Sequence, residues 1–272
     1  MIKLDAHQHF WSLARGDYEW LTPDLAPIYR DFLPADLAPI LQRHDIAGTV
    51  LVQAAPTAAE TDYLLQLADT HDFIKGVVGW VDFTSPQAVS RLHSLAGHPR
   101  FKGVRPMVQD IPDPLWLLQP SLRPTFEALI QLDLTFDALV LCQHLQPLEQ
   151  VLQRFPELRV VIDHCAKPNI AGDDYQTWAK AIKPLAQFPN TFCKISGLVT
   201  EAGPDWSVPA LSPYVAHVLD LFGPQRVLWG SDWPVCTLAA SYDAWLEASE
   251  TLLADSGSGV FGDNALRAYR IA

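Results

Sequence analysis

Short strand-like runs alternate with longer amphipathic segments along the whole chain, and this rhythm constrains the fold more than any other feature. The runs lie near Ile2–Ala6, Gly48–Gln53, Gly76–Asp82, Gly103–Met107, Leu134–Leu139, Arg159–His164, Thr191–Ser196 and Arg226–Trp229. Helix-like segments fall near Pro34–His44, Ala59–Thr70, Pro86–Ala96, Leu122–Leu132, Leu145–Phe155, Asp174–Gln187, Ala210–Phe222 and Leu238–Leu253, with a last short one at Asp263–Arg270. Strands alternating with helices predict a parallel sheet. Eight units in 272 residues, roughly 34 each, match a closed barrel, for which about 250 residues is typical. The expected fold is a distorted (β/α)8 TIM barrel, one α/β domain over residues 1–272. The rival, a doubly wound open sheet, wants a glycine-rich phosphate loop after its first strand. This chain offers His7-Gln8-His9-Phe10-Trp11 there.

The chain is 49% apolar, ample for a large core, and carries a formal charge of -12. That charge argues against nucleic acid as a partner and points to a small molecule. No apolar stretch reaches the roughly 18 residues needed to cross a bilayer, so no membrane partner is expected. The N-terminal residues lack a charged-then-apolar leader pattern. Cys142, Cys165, Cys193 and Cys236 form no CxxC pair, so the expectation is free thiols and a cytoplasmic location. The subunit count is left open. The loop Trp11–Leu33 is long and rich in proline and aromatics, and long loops in compact domains are usually functional.

In such a barrel the chemistry sits at the C-terminal ends of the strands, and that rule sorts the polar residues. His7 and His9 are two apart at the end of the first run, so they share a face. Asp232 follows the last run in Gly230-Ser231-Asp232-Trp233-Pro234. If the first and last strands are neighbours, these three converge, able to hold a divalent metal or to place water beside a carboxylate base. Gln53, Trp80, Asp82, Arg105, Asp137, Asp163, His164, Lys194 and Ser196 occupy the other strand ends. Adjacent residues in a strand face opposite ways, so only one of Asp163 and His164 is expected in the site, and His164 is the better placed. Asp163 fits an orienting or ion-pair role. Arg105 fits a grip on an oxygen-rich ligand, or a pair with Asp137. Lys194 fits either substrate contact or a buried ion pair. Trp11, Trp20, Trp80 and Trp233 are candidates to stack on a ring or simply to pack. His144 follows the fifth run in a loop and is a weaker candidate. The absence of Gly-x-Ser-x-Gly disfavours a serine hydrolase.

Six segments follow one another in order: Asp5-Ala6-His7-Gln8-His9-Phe10-Trp11, Lys102-Gly103-Val104-Arg105, Ile162-Asp163-His164-Cys165-Ala166-Lys167-Pro168, Lys194-Ile195-Ser196-Gly197, Gly230-Ser231-Asp232-Trp233-Pro234 and Phe261-Gly262-Asp263-Asn264-Ala265. Together they resemble the lactonase branch of the amidohydrolase superfamily, from residue 4 to about 269. Relatives there include lactonases for L-fuconate- and L-rhamnonate-type sugar lactones and dicarboxylate pyrone lactonases. The resemblance implies a distorted barrel, hydrolysis of a cyclic ester, and a site built on His7, His9, His164 and Asp232. Two-metal members of the superfamily carry a carboxylated lysine ending the fourth strand and a histidine ending the fifth. Here those places hold Arg105 and Asp137, so a two-metal centre is not implied. One zinc on His7, His9 and Asp232, or no metal at all, both fit the branch.

The expected reaction is therefore opening of a sugar-derived lactone to its hydroxy acid. Asp232 is assigned as general base on water, His164 and Arg105 as catalytic partners, and Gln53, Trp80, Arg105, Lys194 and Trp233 as substrate contacts. The acidic chain favours a neutral aldonolactone. A dicarboxylate or pyrone lactonase, and a metal-dependent decarboxylase on the same scaffold, are the alternatives.

Overall fold

The computed structural model describes residues 2–272. Eight parallel strands run in sequence order: β1 Lys3–Gln8, β2 Ile46–Val52, β3 Ile74–Gly79, β4 Phe101–Val104, β5 Thr135–Ala138, β6 Val160–Ile162, β7 Thr191–Ile195 and β8 Val227–Trp229. The main helices between and after them are α1 Pro34–Arg43, α2 Ala58–Thr70, α3 Ala88–Ala96, α4 Arg123–Gln131, α5 Leu145–Arg154, α6 Tyr175–Ile182, α7 Leu198–Ala202, α8 Val208–Phe222, α9 Tyr242–Leu252 and α10 Asp263–Ala268. The expected (β/α)8 barrel is what forms.

Differences from the sequence reading have local causes. The segment expected as one helix over 174–187 is α6 followed by a 3-10 turn from Lys183, because Pro184 cannot continue the α-helical ladder. The last long helix starts at Tyr242 rather than 238, where the Ser241 hydroxyl accepts from the Ala244 N–H. The short α7 has only five residues, too few to show a helical period in the sequence. Several strands also end earlier than their apolar runs. Arg105, Asp163 and Asp232 all lie just past a strand, where the backbone is free to re-aim them.

The barrel interior is layered. Leu4, Ala6, Val50, Val52, Val78, Val161 and Leu228 meet at its base with Ala265, Ala268 and Tyr269, so α10 plugs the floor. Helices pack a second, larger core against the outside of the strands. Above the apolar floor the interior turns polar, toward the strands' C-terminal ends. The change begins in β1. Its pairing with β2 advances three residues, Asp5 to Gln8, against two, Thr49 to Leu51. This β-bulge reverses the inward parity of the strand. Leu4 and Ala6 face the interior below it, and His7 and His9 face the interior above it.

Between β1 and β8 the seam closes by a handful of bonds beyond the end of β8. The Asp232 N–H donates to His7 O at 2.8 Å and the His9 N–H to Trp233 O at 2.7 Å. The buried Asp5 carboxylate ties the two sides together. It accepts from the Ser231 N–H at 2.8 Å, the His7 N–H at 3.1 Å and the Tyr242 hydroxyl at 3.1 Å. Gly230 allows the approach, since a Cβ there would lie 2.6 Å from His7 Cβ. Leaving buried N–H groups without an acceptor costs roughly 1–3 kcal/mol each. Asp5→Ala is therefore expected to lower the free energy of unfolding by about that amount or more. Denaturant titration checks it, and an unchanged midpoint would contradict the role given to the seam.

Candidate active site

The bulge and the seam bring the two ends of the chain together at the barrel mouth. His7 Nε2 lies 3.2 Å from His9 Nε2, and Asp232 Oδ1 lies 3.6 Å and 3.3 Å from these two nitrogens. His164 Nε2 stands 3.9 Å from the same oxygen. All four residues are buried or nearly so. The convergence expected of His7, His9 and Asp232 is present.

Each side chain is held by a neighbour. His9 Nδ1 is 2.8 Å from the Val52 carbonyl, which can only accept, so Nδ1 carries a proton and Nε2 faces the centre. Arg105 Nη1 is 3.3 Å from His7 Nε2. His7 therefore lies between two cationic donors, Arg105 at Nε2 and Lys194 3.1 Å from Nδ1, and a neutral ring accepts from only one of them. His164 Nδ1 meets the Ser196 hydroxyl at 2.8 Å. Asp232 sits at φ +57°, a conformation that turns its carboxylate back over the mouth. Its Oδ1 is surrounded by the three imidazoles, while Oδ2 has no hydrogen-bond partner among the described residues.

His164 reaches the centre by an unusual backbone path. His164, Cys165, Ala166 and Lys167 have φ of +52°, +53°, +61° and +50°, a short left-handed turn after β6. Left-handed geometry costs about 1–2 kcal/mol per residue outside glycine, and such strain gathers at functional sites. Gly197 leaves the space, because a Cβ there would lie 2.7 Å from His164 Nδ1. This turn also overturns the expectation that only one of Asp163 and His164 faces inward. Strand alternation stops at Ile162, and both side chains enter the site.

Beneath the imidazoles lies a buried ion network. Lys194 Nζ donates to Asp163 Oδ1 at 2.7 Å and Asp137 Oδ2 at 3.0 Å, and stands 3.1 Å from His7 Nδ1. The Tyr269 hydroxyl donates to Asp137 Oδ2 at 2.7 Å from the floor. Arg105 reaches Asp163 Oδ2 at 3.4 Å and clamps both the backbone and side-chain oxygens of Gln53. Arg105 thus pairs with Asp163 and Gln53, not with Asp137.

Burial and charge set the protonation states. Burial, with Lys194 beside it, holds the His7 imidazole well below the usual histidine range. Burial pushes His164 down to about 4, against the pull of Asp232 and Asp163. Burial works against ionisation of Asp232, but His164, His9 and His7 outweigh it and hold the carboxyl below its ordinary range. Burial likewise opposes ionisation of Asp163, yet Lys194, His7 and Arg105 keep it ionised. Burial raises Asp137 to about 6 despite Lys194. At neutral pH the centre thus presents neutral His7 and His164 rings and an ionised Asp232 carboxylate.

A cavity of about 280 Å³ opens over this centre, with His9, Arg105, His164 and Asp232 on its inner wall and Trp20, Gln109, Lys167, Thr200 and Glu201 further out. Three expected substrate contacts do not line it. Lys194 is fully buried in its ion network, Gln53 is fully buried against Arg105, and Trp233 packs between Phe10 and Phe32. Their polarity or aromaticity serves the layer behind the site. Trp80 lines an adjoining hollow that shares Trp20, Met107 and Asp110 with the cavity, and Asp82 lies there too. Trp11 is core. His144 is buried at the start of α5, where its Nδ1 accepts from the Leu141 N–H. Gln109, Lys167, Thr200 and Glu201 were not legible as site residues, since they stand in loops and in α7, away from strand ends. The left-handed run was equally hidden, because none of its residues is glycine or asparagine. Buried Glu60 accepts from the Ala54 and Ala55 N–H groups and holds the loop after β2.

The donor set fits one metal ion. Zinc–ligand distances near 2.0–2.1 Å place tetrahedral ligand atoms roughly 3.3 Å apart, and the three edges here are 3.2, 3.3 and 3.6 Å. The second group of potential ligands, His7, Asp163 and His164, is already occupied on its inner side by the Lys194 ammonium. Among the described residues no helix is long and apolar enough to cross a membrane.

The model of the amidohydrolase family matches residues 4–271. An L-fucono-1,5-lactonase of Burkholderia ambifaria is 47% identical, over 99% of this chain and 96% of that one. An L-fucono-1,5-lactonase of Burkholderia multivorans is 34% identical, over 99% and 96%. A crystal structure of a Burkholderia multivorans amidohydrolase with bound zinc superposes with a TM-score of 0.94 at 33% identity, covering both chains fully. With the barrel, the paired histidines and the distant aspartate all in place, the chain belongs to the amidohydrolase family.

Proposed function

We propose that this chain is a lactonase that hydrolyses a neutral, sugar-derived lactone to the open hydroxy acid, with a six-membered 1,5-lactone as its first-choice substrate. One observation carries the reading: two imidazole nitrogens and an ionised carboxylate meet within 3.6 Å at the base of a small cavity. The full-length similarity to two L-fucono-1,5-lactonases supports the choice of substrate. The cavity volume suits a single sugar ring.

His7, His9 and Asp232 would hold one divalent ion, zinc by the chemistry of the set. When bound, that ion supplies Lewis-acid polarisation of the lactone carbonyl. The chain's own groups carry the proton. Asp232 is ionised across the neutral range and has Oδ2 free, so it accepts the proton of the attacking water. It then returns that proton to the ring oxygen as the ester bond opens. His164, fixed by Ser196, stands beside the carboxylate and orients water and substrate oxygen. Arg105 lines the same wall and supports the developing negative charge while it holds Asp163 beneath His7. Lys194 keeps Asp163 in place and is a positioning residue. A location in the cytoplasm, and activity without a nucleic-acid or membrane partner, complete the proposal.

A pH-indicator screen over five- and six-membered sugar lactones tests the assignment directly. Acid release is expected, strongest with a neutral six-membered lactone, and no acid release from any lactone would contradict it. One general base contributes about 10²–10⁴-fold. Asp232→Asn is accordingly expected to lower kcat by at least that range with the fold retained by circular dichroism; near-wild-type turnover would remove Asp232 from the role. For Arg105→Met, steady-state kinetics on an oxygen-rich lactone are expected to show kcat/KM reduced roughly tenfold or more, the loss of a charged hydrogen-bond donor. Unchanged kinetics would leave Arg105 a purely structural partner of Asp163 and Gln53.

A further inference from the structure

On the outer wall of the cavity, away from the imidazoles, stands a cluster that the hydrolytic chemistry does not use. Lys167 Nζ lies 3.1 Å from Gln109 Oε1 and 3.2 Å from Glu201 Oε1. All three line the cavity, as does Thr200. Their side chains come from three separate places: the turn after β4, the left-handed turn after β6, and α7. The same left-handed run that aims His164 also carries Lys167, so one backbone feature sets the spacing between the reacting centre and this cluster.

The cluster is chemically incomplete. An ammonium has three N–H donors, and two are engaged here. Glu201 Oε2 has no hydrogen-bond partner among the described residues, and Thr200 Oγ1 is buried with none. A free cationic donor and a free anionic acceptor on one wall complement adjacent hydroxyl groups, each of which both donates and accepts. A substrate carboxylate fits poorly, because Glu201, Asp110 and Asp232 all line the same small space.

We propose that Lys167, Glu201 and Gln109 are specificity-determining residues that bind vicinal hydroxyls on the substrate ring and so select polyhydroxylated neutral lactones over plain or carboxylated ones. This inference rests on the lactonase reading and deepens it. Gln109 fixes the ammonium, and Lys167 and Glu201 take one hydroxyl each. The contacts lie away from the scissile ester, so they hold the ring in register with Asp232 without joining the bond-breaking step.

The test compares kcat/KM for a polyhydroxylated six-membered lactone with that for unsubstituted δ-valerolactone, in wild type, Glu201→Gln, Lys167→Met and the double variant. A hydrogen bond to a charged group is worth a factor of about 10 to 100. The preference for the hydroxylated substrate is expected to fall by that factor in each single variant, mainly through KM. Because the two residues act on one diol, the double variant is expected to lose less than the product of the two. A preference unchanged in both single variants would overturn the proposal, as would equal losses on both substrates. A wild type that hydrolyses neither lactone would instead overturn the lactonase reading itself.

Discussion

The closure between β1 and the residues after β8 is the interaction on which the mouth of the barrel depends. Seven of the strand junctions are parallel ladders, three of them with register shifts. The eighth is a set of bonds from His7, His9, Asp232 and Trp233, braced by the Asp5 carboxylate. The groups that close the barrel are the same groups that build the reacting centre, or their immediate neighbours. Stability and chemistry are therefore linked here. A chain that failed to close at this point would lose its core and its site together.

Burying this many polar groups needs compensation. An isolated charge in the interior costs several kcal/mol even after relaxation, and the site holds Lys194, Asp163, Asp137, Arg105 and Asp232 with little or no exposure. The pattern of pairing shows how the cost is offset. Lys194 answers both Asp137 and Asp163, Arg105 answers Asp163 and the Gln53 oxygens, and Tyr269 donates to Asp137 from the apolar floor. This layer also fixes the rings above it, because His7 and Asp163 share Lys194. The Lys194 ammonium is a built-in cation on the inner side of His7, which leaves the outer side for one exogenous ion.

Much of this was legible in the sequence, and the reasons are physical. Alternation of strand and helix reports the parallel barrel, because each unit must bury one face. Histidines two apart report a shared face, and the glycine and serine before Asp232 report a turn. The rest depended on geometry that period-two reasoning does not carry. The bulge in β1 reverses parity between Ala6 and His7, so the apolar run below the histidines does not share their register by simple alternation. The left-handed turn after β6 breaks the rule that separates Asp163 from His164, and no residue in it signals positive φ. Gln53 and Lys194 stand at strand ends as expected, but a strand end does not distinguish a side chain that lines the cavity from one that supports it, and an aromatic such as Trp233 reads the same whether it stacks on a ligand or packs. Lys167 and Glu201 come from loops and a five-residue helix, where the sequence has no period to read.

The central claim is that two imidazoles from the start of the chain and one carboxylate from its end form a single ion-sized centre. Zinc titration of the chelator-treated protein, followed by calorimetry, tests it most directly. The account predicts saturation at one ion per chain, with tight binding abolished in a folded Asp232→Ala variant. Binding of two ions, or tight binding that survives loss of Asp232, would contradict it.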